Sequence, residues 1–168
     1  MCMAFTAGYL VYDLILCIIY IKSFGDKLTL LHHTTILIAY FVGIFYEFGT
    51  FYMGFFLINE ISTPFLNLRW FLLQTNRRDG EIYEWTSYLL ALSFLIFRVI
   101  FNLVIIEHMT RGFFRFYPQL VSREGLPISV LYFLPILAWI HVLINLYWFT
   151  LIARNAINKL LNKKKKKN

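Results

Sequence analysis

Long apolar stretches separated by short polar clusters run the length of this chain, and each stretch approaches the roughly 20 residues that cross a bilayer. The first runs from Ala4 to Ile21 and is interrupted by Asp13. The second, Leu28 to Phe48, opens on the adjacent His32 and His33. The third, Thr50 to Leu73, contains Glu60 and Pro64, the fourth, Trp85 to Ile106, contains Arg98 and Asn102, and the fifth, Ile128 to Ile152, contains His141 and Asn145. The third is polar in its second half, at Asn67 and Arg69, and Pro64 should kink it. Glu47 to Thr50 reads as a tight reversal and Asn76 to Gly80 (NRRDG) as a turn. Glu107 to Pro127 reads as a longer connection, whose RGFFRFYPQL section alternates basic and aromatic residues as a segment lying at the lipid headgroups would. The pattern predicts an all-α, multi-spanning transmembrane helix bundle of about five spans, with a membrane domain over residues 1–157 and a basic tail over 158–168.

Composition agrees. The chain is 60% hydrophobic, 20% aromatic and only 15% charged, more apolar surface than a water-soluble domain of this length can hide. The net charge of +7 arises largely from Lys163 to Lys167, so it gives no reason to expect nucleic acid as a partner. Cys2 and Cys17 form no disulfide framework and read as small apolar residues. Nucleotide-loop, zinc-protease and CxxC motifs are absent, and no cofactor is expected. The first stretch has no basic start or small-residue cleavage site and carries Asp13, so it is not a signal peptide. With five spans and a cytosolic lysine tail, Lys22, Lys27, Arg77 and Arg78 also fall on the cytosolic side, and Arg111, Arg115 and Arg123 on the other. This orientation puts almost no tail before the first span, and the expectation is that a further span precedes it.

An ionisable residue inside a span faces the bundle interior or a wet cavity. Asn59, Thr63 and Asn67 share one helical face at i, i+4, i+8, with Glu60 beside that stripe. Arg98 and Asn102 are i, i+4, as are His141 and Asn145. The simplest packing turns all of these, with Asp13 and the histidine pair, into one central space. Arg98 is expected to pair with Glu60 or Asp13. His32 and His33 point about 100° apart on a helix, so one faces inward while the other orients it or meets the interface. With no third ligand at an obvious spacing, no metal site is read. A neutral imidazole can accept a proton from an amine or hydroxyl, or attack a thioester, and a carboxylate beside it would fix its tautomer. Glu60 is the carboxylate candidate for that role.

These residues resemble a known family. HHTTILIAYFVGIFYEFGTFYMGFFLINEISTPFLNLRWFL is similar to the core of the TLC domain, the lipid-related membrane domain of the TRAM, LAG and CLN type. The resemblance runs over roughly residues 10–155 and is strong from His32 to Leu73; Asp13 is similar to an acidic position of the preceding span. Ceramide synthases of this family carry a His-His pair, an Arg-x-Gly-Thr turn and then His-Asp-x-x-Asp. His32 and His33 match the pair, and Gly49 and Thr50 the turn. Asn59 stands where the second motif has His, Glu60 where it has its first Asp and Thr63 where it has its second. NEISTPFLNLRW is instead similar to the signature of the non-synthase "TLC domain-containing" subgroup.

The resemblance implies a helix bundle around a lipid-accessible cavity, with one span more than the about five read here. It implies a role in membrane lipid homeostasis by binding or sensing a lipid, with His32, His33 and Glu60 at the headgroup. Asp13, Asn59, Thr63, Asn67, Arg98, Asn102, His141 and Asn145 would line the cavity. The alternative it implies is a ceramide synthase-like enzyme. That enzyme would transfer an acyl group from acyl-CoA, as substrate only, to a sphingoid base, with His32 or His33 as base or nucleophile and Glu60 orienting it. A helper of protein translocation, which the family also contains, is a third. Membrane lipids are the expected partners, and self-association stays open. Lys165 and Lys166 fit a di-lysine retrieval signal of the endoplasmic reticulum on a cytosolic tail, read by a coat-type receptor. The alternative is a basic flank attracted to anionic lipid.

Overall fold

The computed structural model describes residues 2–20 and 27–165. Lys22 and Lys166, used above for orientation and retrieval, lie outside them. Every regular element among the described residues is helical. The helices are α1 (Cys2–Ile19), α2 (Lys27–Phe45), α3 (Thr50–Phe56), α4 (Thr63–Gln74), α5 (Glu81–Ser93), α6 (Phe101–Val121) and α7 (Ile128–Lys165). A 3₁₀ segment, Leu57–Ser62, joins α3 to α4, and a π-helical segment, Phe94–Ile100, joins α5 to α6.

Three helical stretches are long and apolar enough to cross a membrane: Lys27–Phe45, Glu81–Val121 and Ile128–Asn158; Ala4–Ile19 is a shorter apolar helix. Large apolar side chains such as Phe5, Phe41, Phe45, Trp85 and Phe114 point outward from these helices. In water this much exposed apolar surface would be a liability; in lipid it is the normal covering. The protein is a multi-spanning helical membrane protein.

The helix ends follow from local chemistry. α2 stops where Glu47 takes a left-handed backbone (φ 49°). There Phe48 N–H donates to the Gly43 carbonyl (3.0 Å) and Glu47 N–H to that of Ile44 (3.4 Å). α4 stops in the same way at Asn76 (φ 54°), with Arg77 N–H on Leu72 (2.9 Å) and Asn76 N–H on Leu73 (3.3 Å). Both are Schellman closures, which satisfy the carbonyls a helix end leaves bare, and they form the two expected reversals; Gly49 (φ 74°) completes the first. Pro64 sits in the first turn of α4, where a missing N–H costs least. Its ring opposes continuation of a helix from the preceding turn, and the chain there tightens into the 3₁₀ segment. The expected kink in the third span is therefore a break into two helices.

One expectation is corrected. The stretch 107–127 is not a long connection: α6 continues to Val121 and only 122–127 are non-helical. The alternation of basic and aromatic residues concealed a helical spacing. Phe113 and Tyr117, at i, i+4, both face Tyr132, with rings 5.6 Å apart for Phe113 and hydroxyls 2.8 Å apart for Tyr117. Arg111, Arg115 and Phe114 stay exposed, and Glu107 pairs with Arg111 one turn on.

The chain divides into two compact units, residues 1–56 with 104–144 and residues 57–103 with 145–168. In the first, α1 packs on α2 and α2 on α3; Tyr40 Oη donates to the Met53 carbonyl (3.1 Å). In the second, the 3₁₀ segment packs on the π segment and α4 on α5. Its core joins Leu90, Phe94 and Val99 to Phe65, Leu146 and Phe149.

Candidate functional site

In the first unit the site starts from α1 and α2. Asp13 occupies the middle of α1, and the packing of α1 on α2 brings its Oδ2 to 3.2 Å from His33 Nε2. The pair is reachable: the side chains are 30% and 18% exposed. His32, one residue earlier, is turned inward and buried, as the helical offset requires. Its ring stacks on that of His141 from α7, 4.8 Å between centroids and 20° between planes. Phe56 closes on His141 edge-on at 5.2 Å. Thr35 Oγ1 donates to the His32 carbonyl (2.9 Å). Two stacked imidazoles are not both made cationic cheaply, because like charges at this separation repel strongly away from water. The Asp13 carboxylate can accept a hydrogen bond from His33 Nε2–H and so orient that ring. Cys17, one turn after Asp13 on α1, completes a group: ligand atoms of Asp13, Cys17 and His33 all lie within 4.8 Å of one another.

In the second unit the centre is Arg98, inside the π segment. Phe101 N–H there donates to Ile96, five residues back, the extra-residue spacing that re-aims side chains and recurs at functional positions. Arg98 Nε donates to the Asn59 carbonyl (3.1 Å) and to Ser62 Oγ (2.7 Å). Its Nη2 donates to Thr63 Oγ1 (3.1 Å) and stands 3.8 Å from Glu60 Oε1, while Nη1 reaches Asn145 Oδ1 at 3.4 Å. Thr63 Oγ1 in turn donates to Glu60 Oε2 (2.7 Å). Asn102 Nδ2 donates to the Arg98 carbonyl (2.9 Å), and among the described residues its Oδ1 has no hydrogen-bond partner. Arg98 also lies over the Phe94 ring, 5.3 Å from its centroid. The guanidinium is sealed (side chain 9% exposed), whereas Glu60 is 52% exposed and forms the open edge of this cluster.

The residues expected at the site thus have described contacts in two sets, each inside one unit. Asp13, His32, His33 and His141 make one; Asn59, Glu60, Thr63, Arg98, Asn102 and Asn145 make the other. Asn67 is exposed on α4 and joins neither. Of the two carboxylates open to Arg98, Glu60 is its partner, and Asp13 belongs to His33. Glu60, expected to orient a histidine, has Thr63 and Arg98 as its described partners instead; α1 packs directly on α2, which hands that place to Asp13. Three contributors were not singled out from sequence. Ser62, buried behind Asn59, lay unremarked inside the NEISTPF motif. Cys17 was set aside as apolar although its i+4 offset from Asp13 was visible. Phe56 gave no signal.

Comparison with known proteins supplies context. Residues 1–154 match the TLC domain. TLC domain-containing protein 4-B of Danio rerio is 31% identical, aligned over 96% of this chain and 60% of its own length. The Xenopus laevis protein of the same name is 33% identical, over 95% of this chain and 60% of its own length. TLC domain-containing protein 4 of Homo sapiens is 28% identical, over 92% and 57%. The chain thus spans about 60% of the length of the curated relatives it matches. No solved structure matches it.

Proposed function

The chain belongs to the TLC domain family, and we propose that it acts in membrane lipid homeostasis by binding or sensing a membrane lipid, whose headgroup meets the histidine set. The observation that carries this reading is the reachable Asp13–His33 pair beside the buried His32–His141 stack. Ionisable side chains on membrane helices are costly and are kept where they meet a polar ligand, an ion or one another. A protonated imidazole backed by a carboxylate suits a phosphate or hydroxyl headgroup, which offers acceptors and donors at the depth where apolar tails still find apolar helix surface. The reading includes the endoplasmic reticulum as location, with the lysine-rich end in the cytosol and Lys165 and Lys166 read by a retrieval receptor. Replacing both lysines by alanine should then move the protein out of that compartment.

A photoactivatable, radiolabelled lipid panel presented to the full chain in nanodiscs tests the binding. The expected result is selective labelling of one headgroup class, lost in His33→Ala. Labelling that ignores headgroup and survives both His32→Ala and His33→Ala would remove the reading.

The Asp13–His33 geometry also favours a second reading, N-acylation of a sphingoid base by acyl-CoA. His33, held by Asp13, would accept the proton from the amine as its nitrogen attacks the thioester carbonyl and the thiolate leaves. Expression in membranes lacking ceramide synthases, with labelled acyl-CoA and a sphingoid base, decides between them. Transfer that disappears in His33→Ala and Asp13→Asn supports the enzyme; no transfer with intact lipid labelling leaves the binding reading standing.

A further inference from the structure

We infer that Asp13, Cys17 and His33 form a binding site for a divalent transition-metal ion of the zinc class. Three different donors converge here: a carboxylate oxygen, a thiol sulfur and an imidazole nitrogen, all within 4.8 Å of one another. Ligand atoms held about 2.0–2.3 Å from a tetrahedral zinc stand about 3.3–3.6 Å apart. The Asp13–His33 edge, at 3.2 Å, falls just short of that range. The Cys17 sulfur reaches the third corner by side-chain rotation, since Asp13 and Cys17 are one turn apart on the same helix face.

The donor set selects the ion. Calcium and magnesium take oxygen ligands, and a thiolate with an imidazole is outside their chemistry. Mixed sulfur, nitrogen and oxygen donors suit zinc and its neighbours in the first transition row. Charge supports the same choice. A carboxylate and a thiolate together carry two negative charges on a helix of an apolar segment, an arrangement opposed by both burial and repulsion. A dication makes the site neutral. Binding would release the thiol proton and leave the imidazole proton on Nδ1, with Nε2 on the metal. Three protein ligands leave a fourth position for water or an oxygen of a bound molecule, the pattern of zinc sites that do chemistry rather than hold structure. All three residues lie in the first unit, on α1 and α2, which pack on each other.

The proposal shares Asp13 and His33 with the lipid reading, and with metal bound the open fourth position, not an imidazolium, would face a headgroup; its readouts involve no lipid, so either can fail alone. The probes are zinc and cobalt(II) added to the full chain in detergent. After a wash with a weak chelator, elemental analysis should find one zinc per chain. Cobalt should give the intense visible bands of a tetrahedral site and a thiolate-to-metal charge-transfer band in the near ultraviolet. Cys17→Ala, a small-for-small change, should abolish the charge-transfer band; Asp13→Asn and His33→Gln should each weaken retention by more than about 10–100-fold, the range for losing only a group that supports a ligand. Helix content by circular dichroism identifies a variant that has failed to fold. As a second measurement, a Cys2→Ala background leaves Cys17 as the single thiol, and zinc should slow its alkylation. Retention below one zinc in ten chains, a cobalt spectrum without the thiolate band, or alkylation indifferent to zinc would each overturn the proposal.

Discussion

Arg98 and the histidine set meet the same difficulty, polar groups placed on membrane helices, and resolve it in opposite ways. A guanidinium never gives up its proton and offers five N–H donors in a fixed plane. Around Arg98 the second unit supplies acceptors from two directions: the 3₁₀ segment gives the Asn59 carbonyl, Glu60 and Ser62, with Thr63 just beyond, and α7 gives Asn145. The guanidinium is buried and bonded at all three nitrogens. The histidines of the first unit are held by one carboxylate and by ring stacking, and the Asp13–His33 pair remains reachable. An imidazole tolerates this because it can be neutral. A permanent charge has to be satisfied by the fold itself and so becomes structural, whereas a switchable group can be left open and so becomes available for ligands. Under the proposed function, this gives Arg98 the structural part and His33 the ligand-facing one.

The sharpest way to break that assignment is Arg98→Ala. It takes the Arg98 donor from Ser62 Oγ, Thr63 Oγ1 and Asn145 Oδ1, at about 1–3 kcal/mol for each buried group left unmet, while the Asn59 carbonyl keeps the hydrogen bond from Ser62 Oγ (3.0 Å). With partial relaxation the expected loss is about 3–5 kcal/mol, as for other buried charges removed from their partners, measured as a lowered unfolding midpoint in bicelles. Arg98→Lys should recover only part of this, because an ammonium cannot reach acceptors spread across a plane. Glu60→Gln should cost under about 1 kcal/mol, its carboxylate being half exposed. An Arg98→Ala protein as stable as the parent would end the claim that this cluster braces the fold.

His33→Ala should show the reverse profile. Stability should fall by about 0.5–1.5 kcal/mol, the net contribution of the hydrogen bond between Asp13 and His33. Lipid labelling should fall by roughly tenfold or more, the equivalent of one charge-assisted hydrogen bond at about 1.5–3 kcal/mol. Unfolding and labelling measured on the same preparation separate the two. A His33→Ala protein destabilised as much as Arg98→Ala would place the histidines in the structural class too.

Much of this was legible in the sequence, for particular reasons. The membrane helices follow from apolar runs that no other solvent accommodates, and the ends of α2 and α4 from the turn-forming residues around Glu47–Gly49 and Asn76–Gly80. The i, i+4 spacing of Arg98 and Asn102 survives as a hydrogen bond from one to the backbone of the other. What was not legible depended on which helices pack together. Periodicity ranks residues around one helix but is silent on the neighbour, so Glu60 was matched with the histidines when Asp13 takes that place. The π segment has no composition of its own; FLIFRVI is apolar apart from Arg98, and its wider turn is visible only in the backbone. The helical continuation through Phe113 and Tyr117 was hidden because alternation and a four-residue repeat coincide over so short a stretch.

Gly43 tests whether the first unit is close-packed away from the Asp13–His33 pair. A Cβ at Gly43 would meet the Met53 thioether and stand 3.0 Å from the Phe48 carbonyl. Met53 can swing aside, but Phe48 is held through its N–H by the Schellman closure that ends α2, which limits how far its carbonyl can move. Gly43→Ala should therefore cost about 1–2 kcal/mol, the usual range for overpacking, with lipid labelling unchanged. A neutral result would show slack throughout the unit and weaken the case that openness at His33 is local.

The smallest expected effect compares the two units at their matching helix ends. Glu47 and Asn76 both close a helix with left-handed backbones, a conformation that glycine adopts without strain and asparagine tolerates better than glutamate. Glu47→Gly should raise stability by about 0.5–1 kcal/mol, the strain relieved exceeding the extra chain entropy that glycine brings to the unfolded state. Asn76→Gly should change it by no more than a few tenths, because there the same entropy cost meets little strain. Unfolding midpoints of the two variants beside the parent make the comparison. A gain at Asn76 equal to that at Glu47 would mean that side-chain identity is irrelevant at these closures, and that the reversal before α3 carries no strain of its own.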